Sequence, residues 1–314
     1  MTGRIVSPDA AGIQEAAELL RAESVVAFPT ETVYGLGADA FSPKAIAEVY
    51  RLKNRPSWNP LIVHVPAAPA ARELIANWPE VADELAARFW PGPLTLVLKR
   101  ARHLAGVGAD NDTIAIRVPA HPVALRLLEV CGLPLAAPSA NRSESISPTT
   151  AEHVVRSLPD VPLVLDGGPS SWGIESTVLD LTTGTPTLLR PGALGLRAIR
   201  EVTGKIALPG DGPADGTARP SPGMSRRHYA PRARLILTRE VGDVDEETGV
   251  LGSSIKTGKN RELLSADPRE YAADLYAALH RLDDAGVARI VVQEPPDTEE
   301  WLAIRDRLRR AAAS

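Results

Sequence analysis

Short apolar runs alternate along this chain with stretches whose apolar residues return every three or four positions. VVAF (25–28), LIVHV (61–65), LTLVL (94–98), TIAIRV (113–118), PLAA (134–137), PLVLD (162–166), STVLDL (176–181) and TLLR (187–190) have the length and composition of strands. Between them, Ile13, Ala16, Ala17 and Leu20 keep helical spacing behind Ser7-Pro8, a cap and first-turn signal. Ser42-Pro43 opens a second helical stretch with Ile46, Val49 and Tyr50 on one face, and that face continues to Lys53. The same spacing predicts helices near 80–89, 122–130 and 148–158. This order predicts an α/β domain built on a large, mixed, twisted sheet with flanking helices.

The alternation stops at LPGDGPADGTARPSP (208–222), which nearly lacks large apolar residues and cannot form a packed element. Beyond it, RLILT (234–238), GVLG (249–252) and RIVVQ (289–293) read as strands, and 268–284 and 298–312 as helices. The expected layout is a large domain over 1–205, a Pro/Gly-rich linker over 206–232, and a small Rossmann-like α/β domain over 233–314.

Composition narrows the function by exclusion. The 314 residues carry 35 Lys and Arg against 39 Asp and Glu, a net charge of -4, with no dense basic footprint for holding nucleic acid through its phosphates. Stable binding of nucleic acid is therefore not expected, and any contact with RNA would have to be local. The single cysteine, Cys131, rules out a disulfide framework and a zinc ribbon. No apolar run is long enough for a membrane span and no signal-peptide pattern opens the chain, so a cytoplasmic protein is expected. Walker A, GxGxxG, HExxH and GxSxG patterns are absent, and the six histidines stand singly, so no metal cluster is expected.

Polar groups cluster instead where strands end. PTETVYGLG (29–37) offers the Thr30 and Thr32 hydroxyls, with Gly35 and Gly37 permitting close approach to a ligand; a Thr-stabilised turn reads equally well. KNRPSWNPLIVH (53–64) brings Lys53, Arg55 and His64 into one loop–strand unit, or is a solvated basic loop. In TIAIRVP, alternation puts Thr113, Ala115 and Arg117 on one face, and a buried arginine there needs an anionic partner from protein or ligand. APSANRSESISPT (137–149) supplies Ser139, Asn141 and Ser147, although Ser147-Pro148 is also a plain helix cap. ESTVLDL and LLRPG add Ser176 and Arg190. Four cations with many hydroxyls and few carboxylates suit an anionic substrate bound without a P-loop, and a polyphosphate nucleotide fits that description.

These motifs, with FWPGPLTLVL (89–98), DGG…GIESTVLDL and SPGMSRRHYAP (221–231), occur in one order over nearly the whole chain. In this the sequence resembles the YrdC-like L-threonylcarbamoyladenylate synthases in their long, two-domain form. The resemblance implies a nucleotidyltransferase: L-threonine, bicarbonate and ATP give threonylcarbamoyl-AMP and pyrophosphate, with Mg²⁺ on the nucleotide. The product would pass to the downstream machinery that transfers threonylcarbamoyl to tRNA. Carried over by motif, Thr32, His64, Thr113, Arg117, Ala137 and Ser176 would surround threonine. Lys53, Arg55, Asn59, Ser139, Asn141, Ser147, Arg190 and Tyr229 would hold ATP, and Lys53, Arg55 and Arg117 would be catalytic. Met224, Tyr229, Arg226 and Arg227, beside His228, would make the end of the linker a lid.

Two positions depart from the family pattern, Asn54 and Glu144, where glycine is usual. Asn tolerates a left-handed backbone fairly well; Glu144 brings a negative charge to a proposed nucleotide loop. An RNA-binding module on the same fold and a carbamoyl-transfer protein remain as alternatives. The charge opposes the first, and the lack of cysteine-rich zinc modules opposes the second.

Overall fold

The computed structural model describes residues 3–101, 112–208, 227–256 and 258–313. The linker stretch 209–226, with Met224 and Arg226, lies outside the described residues. In chain order the large domain contains β1 (Arg4–Val6), α1 (Ala10–Arg21), β2 (Val26–Phe28), β3 (Gly35–Asp39), α2 (Pro43–Lys53), β4 (Ile62–His64), α3 (Ala68–Glu73) and α4 (Glu80–Phe89). It continues with β5 (Leu94–Lys99), β6 (Thr113–Arg117), α5 (Pro122–Cys131), β7 (Leu135–Ala136), α6 (Ala151–Ser157), β8 (Leu163–Leu165), β9 (Thr177–Asp180), β10 (Thr187–Arg190) and α7 (Leu196–Thr203).

The ten strands form one mixed sheet in the order β1-β8-β2-β3-β7-β4-β6-β5-β9-β10. Ile13, Ala16, Ala17 and Leu20 of α1 pack with Ala124, Leu127 and Leu128 of α5 over one region of it. A larger apolar cluster joins the strands to α2, α4, α6 and α7 through Val49, Leu85, Val154 and Ile199. Helices on a mixed sheet are what the alternation of patterns predicts.

Three local expectations change. Helix α1 is capped by Asp9, whose carboxylate accepts from the Ala11 and Gly12 amides, rather than by Ser7. Helix α6 is capped by Thr150, not Ser147. The last three residues of the expected ligand loop 29–37 instead open the strand Gly35–Asp39. Gly35 and Gly37 leave room there for the Phe28 ring, and a Cβ on Gly37 would lie 2.7 Å from it.

The small domain comprises β11 (Arg234–Thr238), β12 (Thr248–Gly252), β13 (Asn260–Leu263), α8 (Pro268–Asp284), β14 (Arg289–Gln293) and α9 (Leu302–Ala312). Its strands are all parallel, ordered β11-β14-β12-β13. Its apolar core also takes in Val33, Ile146 and Ile174 from the large domain and Tyr229 from the end of the linker. The two domains therefore share packing where the large sheet ends.

Candidate active site

The sheet order brings the ends of β2, β4, β6 and β10 and the starts of β3 and β9 to one edge. A cavity lies there, lined by Thr30, Thr32, Val33, Tyr34, Gly35, Arg55, Ile62, His64, Arg117, Ala137, Pro138, Ser139, Glu175, Ser176, Arg190, His228 and Tyr229. It encloses about 50 Å³. That is room for a few waters, against roughly 300–1,000 Å³ for pockets that hold small molecules. His228 and Tyr229, both buried, form part of this lining.

Register places His64 beside Arg117 on neighbouring parallel strands. Arg117 is 4% exposed, and its guanidinium donates to Glu31 at 2.5 Å, to the Thr32 hydroxyl at 2.9 Å and to the Gly92 carbonyl at 3.1 Å. Thr30 gives its one hydroxyl proton to the Val33 carbonyl at 2.6 Å. The 2.8 Å contact between Thr30 and Thr32 must therefore be donated by Thr32. A directed chain runs from Arg117 through Thr32 and Thr30 to backbone and fixes the loop after β2.

On the opposite wall, Arg190 donates to the Ser176 carbonyl at 3.0 and 3.1 Å and to its hydroxyl at 3.0 Å. Ser176 Oγ also meets Thr95 Oγ1 at 2.8 Å. The Pro191–Gly192 turn presses on this backbone so closely that a Cβ on Gly192 would sit 2.4 Å from Ser176 C. Glycine is required there by contact, not by a special φ.

Arg55 donates to the Asn59 and Pro60 carbonyls at 3.2 and 2.9 Å. Burial lowers it to about 10, which leaves it a cation at neutral pH. Burial, helped by the Arg117 charge, lowers His64 to about 3, so its imidazole is neutral. The unfolded-state value lies above the folded one, so stability is full above about pH 6.5 and falls as pH drops toward 3. Between pH 7 and 5 wild type should lose about 2 kcal/mol through this residue alone. In urea titrations at both pH values, His64→Gln should lack that part of the loss; an unchanged difference would mean His64 is not held neutral.

Of the fourteen residues that the resemblance assigns to threonine or ATP, nine reach the lining: Thr32, Arg55, His64, Arg117, Ala137, Ser139, Ser176, Arg190 and Tyr229. Lys53 stands behind the wall. Its ammonium donates to the Ser139 and Asn141 carbonyls, tying α2 to the 139–141 loop, and burial lowers its pKa far below the usual lysine value. Asn59 and Asn141 are buried outside the lining; the Asn59 carbonyl accepts from Arg55 and Tyr50, and Asn141 Nδ2 braces its own loop through the Arg142 and Ser145 carbonyls. Ser147 donates to Glu175 at 2.6 Å and does not face the cavity. Thr113 is placed elsewhere altogether. It begins β6, paired with Lys99, four residues and about 13 Å from Arg117 at the other end of the strand.

Both departures from the family glycines fall at left-handed backbone. Asn54 has φ 50 and closes α2, with the Arg55 amide reaching back to the Tyr50 carbonyl. Glu144 has φ 68, and its carbonyl accepts from the Ala230 amide at 2.8 Å. That contact docks the end of the linker onto the 137–147 loop, so the Glu144 backbone serves here whatever its side chain does. Tyr229 is also left-handed, at φ 63.

The sequence reading missed Glu31, Glu175, Tyr276 and Arg307. Glu175 lines the cavity and accepts from Ser147, from Tyr276 of α8 at 3.1 Å and from Arg307 of α9 at 2.8 Å. Among the described residues, the buried Lys, Arg, Asp and Glu side chains are Glu31, Lys53, Arg55, Arg117, Glu175, Arg190 and Arg307. All seven sit at or against this cavity. Five bases face these two buried carboxylates and Asp306, which pairs with Arg307 at 2.8 Å, and an anionic ligand would balance the excess of basic groups that is left.

Comparison with known proteins agrees with this architecture. Residues 18–192 match the Sua5/YciO/YrdC family, described as telomere recombination, and residues 195–313 match the threonylcarbamoyl-AMP synthase C-terminal domain. Among curated relatives, the threonylcarbamoyl-AMP synthase of Bacillus subtilis is 43% identical over 96% of this chain and 92% of its own length. A putative threonylcarbamoyl-AMP synthase of Mycobacterium tuberculosis is 41% identical over 62% of this chain and 89% of itself. The crystal structure of Pyrococcus abyssi Sua5 complexed with L-threonine matches with a TM-score of 0.89 at 39% identity, covering 96% of this chain and 94% of that one. Matched in both halves and along nearly its whole length, the chain belongs to the Sua5/YciO/YrdC family, in the form that carries the Sua5 C-terminal domain.

Proposed function

We propose that this protein is a threonylcarbamoyl-AMP synthase, a nucleotidyltransferase that joins L-threonine, bicarbonate-derived CO₂ and ATP at this cavity and releases pyrophosphate. The observation that carries the reading is the excess of buried basic groups at the end of the large sheet. Both partners in the bond-forming step are anions, so cations must offset their repulsion and the charge growing on phosphate. The neutral threonine amine adds to CO₂ and loses a proton. A carbamate oxygen then attacks the α-phosphorus, and the bond to the departing pyrophosphate breaks.

Arg117, Thr32 and His64 form the amino-acid side of this reading, and Arg55, Ser139 and Arg190 the phosphate side. The cavity as it stands is too small for ATP, so the His228–Tyr229 strap would have to lift to admit it. Its return would shield carbamate and acyl-adenylate from water. The lining offers Mg²⁺ no open carboxylate, because Glu175 is engaged by three donors. The metal therefore enters with its nucleotide, on phosphate oxygens. The product would be handed to a tRNA-modifying transferase.

Pyrophosphate release with threonine, bicarbonate and ATP, each omitted in turn, tests the reading; release that ignores threonine would overturn it. The same assay gauges selectivity. A site that hydrogen-bonds the substrate hydroxyl leaves polar groups unpaired when that hydroxyl is missing. Serine should support slow turnover and valine almost none, whereas equal rates for valine and threonine would refute recognition through the hydroxyl.

A further inference from the structure

We infer that Arg307, on the small domain, is a positioning residue for the phosphate half of the site, acting by neutralising Glu175. This rests on the reading that the cavity takes ATP.

Glu175 is the carboxylate of the cavity lining, next in sequence to Ser176, on which Arg190 is docked. Unopposed, it would repel phosphates and compete with them for Arg190. Arg307 removes both effects. It projects from the buried face of α9, is itself 1% exposed, and donates through Nε to Glu175 at 2.8 Å. Nη1 donates to the Pro191 carbonyl at 2.8 Å, in the turn that follows Arg190, and to the neighbouring Asp306 carboxylate at 2.8 Å. The guanidinium also lies 5.0 Å from the Tyr229 ring centroid, a cation–π contact with the strap. One side chain thus meets the interfering carboxylate, the backbone carrying Arg190 and the aromatic cover.

The electrostatics agree. Burial alone would raise the Glu175 carboxyl, yet Arg307 first and Arg190 next hold it ionised, down to about 2. An aspartate or glutamate already satisfied by three donors leaves little acceptor capacity to sequester Arg190. The small domain is in this sense part of the nucleotide site, through charge rather than through contact with ligand.

Calorimetric titration of the full chain with Mg²⁺-ATP, and separately with threonine, tests this. Arg307→Met should weaken ATP binding at least tenfold and leave threonine within about twofold. Combining it with Glu175→Gln should recover most of the ATP affinity, because the repelling charge has gone although the link between domains has gone too. A merely structural link predicts the opposite, a double variant no better than Arg307→Met, and that result overturns the proposal. If Arg307→Met does not fold by its unfolding curve, Glu175→Gln alone decides: affinity equal to or above wild type supports compensation, and a clear loss refutes it. Failure of wild type to bind ATP would overturn the ATP reading and this inference together. Normal wild-type binding that Arg307→Met does not change would overturn the inference alone.

Discussion

Arg117→Met is expected to lower stability by about 3–5 kcal/mol and to abolish threonine binding. The stability loss comes from Glu31, which is 7% exposed and pairs with this guanidinium. Its other oxygen, Oε2, is buried without a hydrogen-bond partner. Removing the cation leaves a buried carboxylate uncompensated, far costlier than losing an exposed ion pair. Replacing both ions with apolar residues of similar size removes that penalty, so Arg117→Met/Glu31→Leu should regain most of the stability. Threonine binding should stay lost in the double variant. Urea unfolding and threonine titration on the two variants separate the roles, and a single variant as stable as wild type would show that the pair is not buried as described.

The second large effect is expected at Arg190. Arg190→Ala should reduce kcat/KM by about 30- to 1,000-fold, the roughly 2–4 kcal/mol typical of a lost transition-state donor. Arg190→Lys should restore only part of this. A lysine ammonium is a point charge, and it cannot copy the fork that holds both the Ser176 carbonyl and hydroxyl. Steady-state pyrophosphate release at saturating threonine measures both variants, and full activity in Arg190→Ala would remove this residue from the mechanism.

The strands that carry apolar runs were legible in the sequence, because a sheet covered by helices writes its burial locally. The glycine-rich strand 35–39 was not legible, since its fit depends on a phenylalanine from the neighbouring strand rather than on its own side chains. Ser-Pro signals located helix α2 correctly at Ser42 but stood two or three residues before the true caps at Asp9 and Thr150. At those two places a second capping residue followed and won.

Within the site, residues next to strand ends were found because polar groups interrupt apolar runs. Lys53 was found as a charge but not in its place, since helical spacing gives a face and not what the face meets. Glu175 was within a noted motif, yet its importance arises from partners 101 and 132 residues away on α8 and α9. No local pattern announces such a pairing.

The order of the large sheet also bears on how the chain is made. Strand β8 lies between β1 and β2, pairing with both in parallel. Strand β2 meets β3 within ten residues of leaving the ribosome, but its other edge has no partner until Leu163 is synthesised. At about 5–20 residues per second that interval is roughly 7–27 s. Throughout it, the fully buried Val26, Ala27 and Phe28 of the finished protein border an open strand edge, the kind of edge that recruits foreign strands. Slower translation of the middle of the message lengthens the exposure, and a chaperone that covers nascent apolar strands shortens it in effect.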